Sequence, residues 1–315
     1  MALLDPPQIL PNVAGAIYRY LLQAEGHRET RSTFVAMLAP ASLEQNAGTS
    51  GSRALDQTLR ACEQIRLVQS EGDDVKLHPD LPAYALDRRT GARTLRRLLR
   101  ELVMAPDLNA GEWGSQEGAR DLCFSLAWYL RQDIYSAPGV WGLRPPLQSA
   151  QLVQQEQLAG PRLLVNDERW LPFTRWATYL GLAVHHAHDG TAYLVPDPTV
   201  AIRETLAICC PGPRGEVELP ELLRRVGERL PVMDGGTYRQ EVDRHLRPGS
   251  YAAEEQGAVS TALGHALRRL EDAEVIVLSD RADAARVIFA SELGQRVVRS
   301  HISWTKRVQP AEGAE

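Results

Sequence analysis

The chain has 315 residues, 44% hydrophobic and 24% charged, with 35 basic against 40 acidic side chains and a net charge of −5. Such a length exceeds one typical domain, and the composition excludes a disordered chain and a disulfide-stapled miniprotein. The acidic balance also excludes a histone-like polyanion coat, which needs a large cationic surplus, but it leaves room for a local basic face.

In chain order, prolines at 6, 7 and 11 mark an extended lead-in. Val13, Ile17, Leu21 and Ala24 recur at helical spacing, and Gly26 stops that helix. Thr30, Ser32 and Thr33 offer caps for a second helix that ends before Pro40. A third helix carries Leu55, Leu59, Cys62 and Ile65 on one face, and runs into a strand IRLV, a turn EGDD and a strand VKLH. Three helices and a hairpin predict a winged helix-turn-helix over residues 1–92, with the third helix able to enter a major groove.

Residues 93–205 read as a helical middle. Leu95, Leu98, Leu99 and Leu102 form an inner stripe, which assigns Arg93, Arg96, Arg97 and Arg100 to an outward basic face. Residues 121–134 form an apolar helix, and the Gln-rich stretch 148–160 reads as a linking helix. Residues 165–205 give helix, strand, an HDG turn and strand, a degenerate winged-helix-like unit.

Residues 206–300 repeat the first order. LPELLRRVGERL and TYRQEVDRHL are helical, and a further helix is capped by Ser260 or Thr261. Strands EVIVL and ARVIF then flank the turn SDRADA as a second wing. Residues 301–315 read as a basic, frayed tail; together with Arg296 and Arg299 just before it, His301, Lys306 and Arg307 around Trp304 suit phosphate contact and base stacking. The predicted class is α+β, mainly α: tandem winged helices, two clear and one degenerate, joined by helices.

Chemical motifs are scarce. The sequence has no G-x-x-x-x-G-K-[ST], no G-x-G-x-x-G after a strand, no G-x-S-x-G and no H-E-x-x-H, so neither an enzyme nor a cofactor is expected. His186, His188 and Asp189 are the best metal candidates, but no further ligand pair of suitable spacing accompanies them, and a solvated hairpin tip is the simpler reading. Asp74-Val-Lys76 matches half of a nuclease site in the wrong order and reads as a charged wing. Cys62, Cys123, Cys209 and Cys210 lack C-x-x-C spacing, as expected for free thiols in a reducing cytoplasm. The stretch MALLDPPQILP has no secretory pattern, and no 18-residue apolar run exists, so no membrane association is expected.

Arginine placement carries the remaining signal. Only Lys76 and Lys306 are lysines, so 33 of the 35 basic residues are Arg, the better bidentate partner of phosphate and guanine. Arg53, Gln57 and Arg60 on the first third helix, Arg268 and Arg269 on the last, and Arg281 and Arg286 on its wing are candidate DNA contacts. Charge reversal of Arg268 and Arg269 is expected to weaken DNA binding without unfolding the chain. Residues 1–90 nevertheless hold 9 basic against 11 acidic residues, and 210–315 hold 15 against 17, so the same helices also suit protein contact. A winged-helix transcriptional regulator, acting as a homodimer, and a kleisin-like scaffold gripping ATPase heads are the competing readings.

The stretches MALLDPPQILPNVAGAIYRYLL, WATYLGLAV and YLVPDPTVAIRETL resemble the DpdG-like proteins of bacterial defence clusters. That family takes its name from gene clusters that place 7-deazapurines in DNA and restrict unmodified DNA. The resemblance covers most of the chain. It implies a non-enzymatic adaptor in antiviral defence, contacting DNA and a large ATPase or helicase subunit of the same cluster. It carries over no catalytic residue.

Overall fold

The computed structural model describes residues 3–4, 9–40, 51–111, 113, 118–135, 141–142, 158–160, 163–164, 167–188, 191–247, 257–290 and 296–310. The fold is α+β, mainly helical, with small antiparallel sheets. Its contacts divide the chain into two compact units, residues 1–122 with 166–179, and residues 123–165 with 180–315. No helix among the described residues is long and apolar enough to cross a membrane.

The first unit opens with α1 (Pro11–Gln23), where a proline in the first turn removes an N–H that has no helical partner anyway. Ala14, Ile17, Tyr18, Leu21 and Leu22 form its buried face. Next come β1 (Arg28–Thr30), α2 (Arg31–Leu38), α3 (Gly51–Gln64), β2 (Val68–Glu71) and β3 (Asp74–Leu77). The predicted β2–β3 hairpin gains a third strand, since β1 pairs with the far side of β3 and the sheet order is β1-β3-β2. Gly72, with φ of +61°, supplies the left-handed residue of the two-residue turn. The short α4 (Ala83–Leu86) leads to α5 (Gly91–Val103), the start of α6 (Arg120–Leu130) belongs here, and α7 (Asp167–Tyr179) completes the unit. On α7, Trp176 is buried and donates its indole N–H to the Ile9 carbonyl at 3.1 Å.

The second unit contains β4 (Trp141–Gly142), β5 (Ala183–His188), β6 (Thr191–Pro196), α8 (Thr199–Cys209), β7 (Gly215–Glu218), α9 (Leu219–Arg229) and α10 (Thr237–Arg244). It continues with α11 (Thr261–Asp272), β8 (Val277–Ser279), β9 (Val287–Ala290), β10 (Arg296–Arg299) and β11 (His301–Trp304). Its sheets are β4-β6-β5, β7-β11-β8 and the pair β10-β9. In both β1-β3-β2 and β7-β11-β8 the last strand in sequence lies between the other two.

The hairpin predicted from EVIVL and ARVIF does not form, because β8 pairs with β11 and β9 pairs with β10. The cause is burial. Val287 and Phe289 of β9 are buried, and the Phe289 ring packs toward Gly264 of α11. Ile288 also exchanges backbone hydrogen bonds with the 257–259 segment, its N–H reaching the Gly257 carbonyl at 2.9 Å.

Residues 301–304, assigned from sequence to a tail, form the central strand of their sheet, with His301, Ile302 and Trp304 buried. A Cβ at Gly215 would lie 2.4 Å from the Trp304 ring, so the indole is packed on β7 and is not open for base stacking.

Candidate nucleic-acid interface

Helix α3 turns Leu55, Leu59 and Cys62 inward. The opposite side carries Arg53, Gln57, Arg60 and Gln64 at spacings that form one row along the helix. Arg53, Arg60 and Gln64 are exposed, and Gln57 is half-buried. Arg31 of α2 reaches Asp56 at 3.0 Å and neutralises the carboxylate beside this row. The β2–β3 turn is acidic, with Glu71 and Asp73 exposed. Lys76 hydrogen-bonds Glu71 and holds its carboxyl below the usual range.

The second candidate row starts from a well-built helix end. Ser260 caps α11, its hydroxyl accepting the Leu263 N–H at 3.3 Å. Further along, Arg268 is half-buried, with Nη2 enclosed and without a hydrogen-bond partner among the described residues. Arg269 pairs with the buried Asp197, which also accepts the Thr199 N–H at 3.0 Å. Arg281 places Nη2 within 2.5 and 2.6 Å of both Glu216 carboxylate oxygens. Arg286 binds Asp280 at 3.0 Å. Three of these four arginines are therefore held by carboxylates. Beside them, half-buried His265 lies 3.4 Å from the Tyr135 hydroxyl, and burial lowers its pKa against the opposing pull of Asp197.

The basic face expected on α5 is only partly present. Arg93 is exposed. Arg97 sits 4.3 Å over the Tyr84 ring and donates to Glu101 at 2.8 Å. Arg100 is buried at 3% exposure, a correction to its outward assignment. It lies about 60° round the helix from buried Val103, at about 100° per residue, so the packed side of α5 is wider than its leucine stripe. Arg96 is half-buried and its charge acts on Tyr179 of α7.

Sequence reasoning missed the group around Tyr179. Its hydroxyl accepts a hydrogen bond from Arg19 of α1 and lies in the field of Arg96, both of which oppose the upward push of burial on its pKa. These residues are far apart in sequence and share no motif, so only packing brings them together.

Asp189 and the side chain of His188 lie outside the described residues, and His186 is exposed. No group of three or more His, Cys, Asp or Glu side chains that could hold a metal ion occurs among the described residues. All four cysteines are buried free thiols, and burial pushes the Cys210 thiol up to about 12. A 390 Å³ cavity in the second unit is lined by Leu223, Arg224, Asp234, Val259 and Arg286. Its Asp234 carboxylate is engaged by Ser260, and Arg224 by Glu221 and Glu228.

No curated protein and no solved structure matches the chain. A family model described as DpdG-like matches residues 1–284. With 284 of 315 residues matched, the chain belongs to the DpdG-like family.

Proposed function

We propose that the protein is a non-enzymatic winged-helix adaptor of a phage-defence complex, touching DNA through α3 and working beside a large ATPase or helicase subunit. Family membership suggests a role in the Dpd gene cluster of phage defence and DNA modification. The observation that carries the DNA reading is the row Arg53, Gln57 and Arg60 on α3. The order α1-β1-α2-α3-β2-β3, with sheet order β1-β3-β2, supports reading this row as a recognition face. Arg and Gln can contact base edges as well as phosphates.

The second unit fits DNA less well, since Arg269, Arg281 and Arg286 are engaged by Asp197, Glu216 and Asp280. The acidic β2–β3 turn likewise suits a basic protein surface better than phosphate. Both features favour partner contact as the other half of an adaptor's work.

Fluorescence anisotropy of the full chain with a labelled duplex, across a salt series, tests the reading. A log affinity that falls steeply with log salt, and that weakens in Arg53→Gln/Arg60→Gln, supports it. An absence of binding at low salt rejects DNA contact by the isolated chain and leaves a protein-contact scaffold.

A further inference from the structure

We propose that a second DNA contact, to the phosphodiester backbone, lies on an arginine surface formed by α1, α5 and α7 around Tyr179. The inference rests on the DNA-contact reading above but uses none of the α3 residues.

The three helices converge at Gly15 of α1. A Cβ there would lie 3.0 Å from the Tyr179 hydroxyl, 3.3 Å from Arg19 Nη1 and 3.4 Å from Leu95 Cδ2. Glycine thus permits an approach that brings α1 against both α5 and α7. Arg19 donates to the Tyr179 oxygen, and Arg96 adds its charge from α5. Burial raises the phenol's pKa and outweighs the opposing pull of both guanidiniums.

The charge extends outward from this centre. Arg93 lies one turn before Arg96 on α5, and Arg175 lies one turn before Tyr179 on α7, each on the same helix side as its neighbour. Arg19, Arg93 and Arg175 are exposed. Among the described residues none of these three has a carboxylate partner, in contrast to Arg269, Arg281 and Arg286. Arg19 and Arg96 both act on Tyr179; guanidiniums brought to one group repel one another unless an anion lies nearby, and arginine forks match phosphate oxygens. The outer row of α1, Asn12, Ala16, Arg19 and Gln23, is polar or small and offers no large apolar anchor of the kind protein interfaces use. A phosphodiester backbone requires only cations and hydrogen-bond donors.

The test uses the full chain, a labelled random-sequence duplex and anisotropy across a salt series. The variant Arg19→Gln/Arg93→Gln/Arg175→Gln alters only exposed side chains, and its thermal midpoint checks the fold. The expected result is at least a tenfold loss of affinity at low salt, with a salt slope shallower by about 2–3, at about 0.9 per phosphate contact. Arg19→Lys/Arg93→Lys/Arg175→Lys keeps the charge and should retain most of the slope.

Unchanged affinity and slope in the glutamine variant, with Arg53→Gln/Arg60→Gln defective, overturns this surface while the α3 reading stands. The opposite pattern supports this surface and removes α3. No binding by the unaltered chain overturns both. Displacement of the duplex by polyglutamate at matched charge, as effective as by unlabelled DNA, overturns the phosphodiester assignment in favour of an acidic protein.

Discussion

The Asp234 carboxylate accepts both the backbone N–H and the hydroxyl of Ser260, each at 2.7 Å. Ser260 in turn caps α11 through the Leu263 N–H. One acid thereby fixes the connection after α9 to the first turn of α11. Ser260→Ala removes the cap and one of the carboxylate's donors. It should lower stability by about 1–3 kcal/mol, read as a shift of the urea midpoint without a change in slope.

Arg269 has a structural partner, which alters what its charge reversal should do. Asp197 is 5% exposed, so a glutamate at position 269 would place a second negative charge beside a poorly solvated one. Arg269→Glu is expected to destabilise by about 1–3 kcal/mol, discounted for the half-exposed guanidinium, whatever it does to DNA binding. Thermal unfolding of Arg269→Glu beside Arg268→Glu separates this from a purely electrostatic effect.

Asp121 provides a pH-dependent term. Its buried carboxylate accepts the N–H groups of Leu3, Leu4 and Leu122 at 3.2, 2.8 and 2.9 Å. Desolvation nevertheless raises its pKa from 3.8 to about 6, against the pull of those bonds and of Arg169. The folded state then holds the proton more tightly than the unfolded chain. The cost of the buried charge is fully present above pH 6 and is relieved as pH falls toward 4. Two units correspond to about 3 kcal/mol. The stability gained by Asp121→Asn over the unaltered chain should therefore be larger near pH 7 than near pH 4.5, by about 2–3 kcal/mol in urea unfolding. An equal difference at both pH values would refute a raised pKa.

Trp176 and Trp304 test the two cores separately. Both indoles are buried, the first beside Ile9 and the second on Gly215. Truncation of either to Ala should cost about 3–5 kcal/mol. Trp304→Phe, which keeps most of the apolar volume, should recover most of that loss and leave DNA affinity unchanged. A selective loss of DNA affinity in a fully stable Trp304→Phe would restore a base-stacking role.

The amino-acid sequence by itself determined the local elements. The 3.6-residue recurrence of Leu55, Leu59 and Cys62 marks α3, Ser260 announces the start of α11, and Gly72 announces the β2–β3 turn. Each signal acts within a few residues, where hydrogen-bond geometry and side-chain spacing decide the outcome.

Tertiary structure decided the partners. His301–Trp304 becomes a central strand because β7, more than 80 positions earlier, and β8 lie on its two sides. Arg281 meets Glu216 across 65 positions, and Arg269 meets Asp197 across 72. Arg100 is enclosed although the spacing of the leucine stripe assigns it to the outer face. Arg19, Leu95 and Tyr179 gather at Gly15 from three helices. Which cations face solvent and which meet a carboxylate depends on packing between distant segments, and periodicity along one helix carries no record of it.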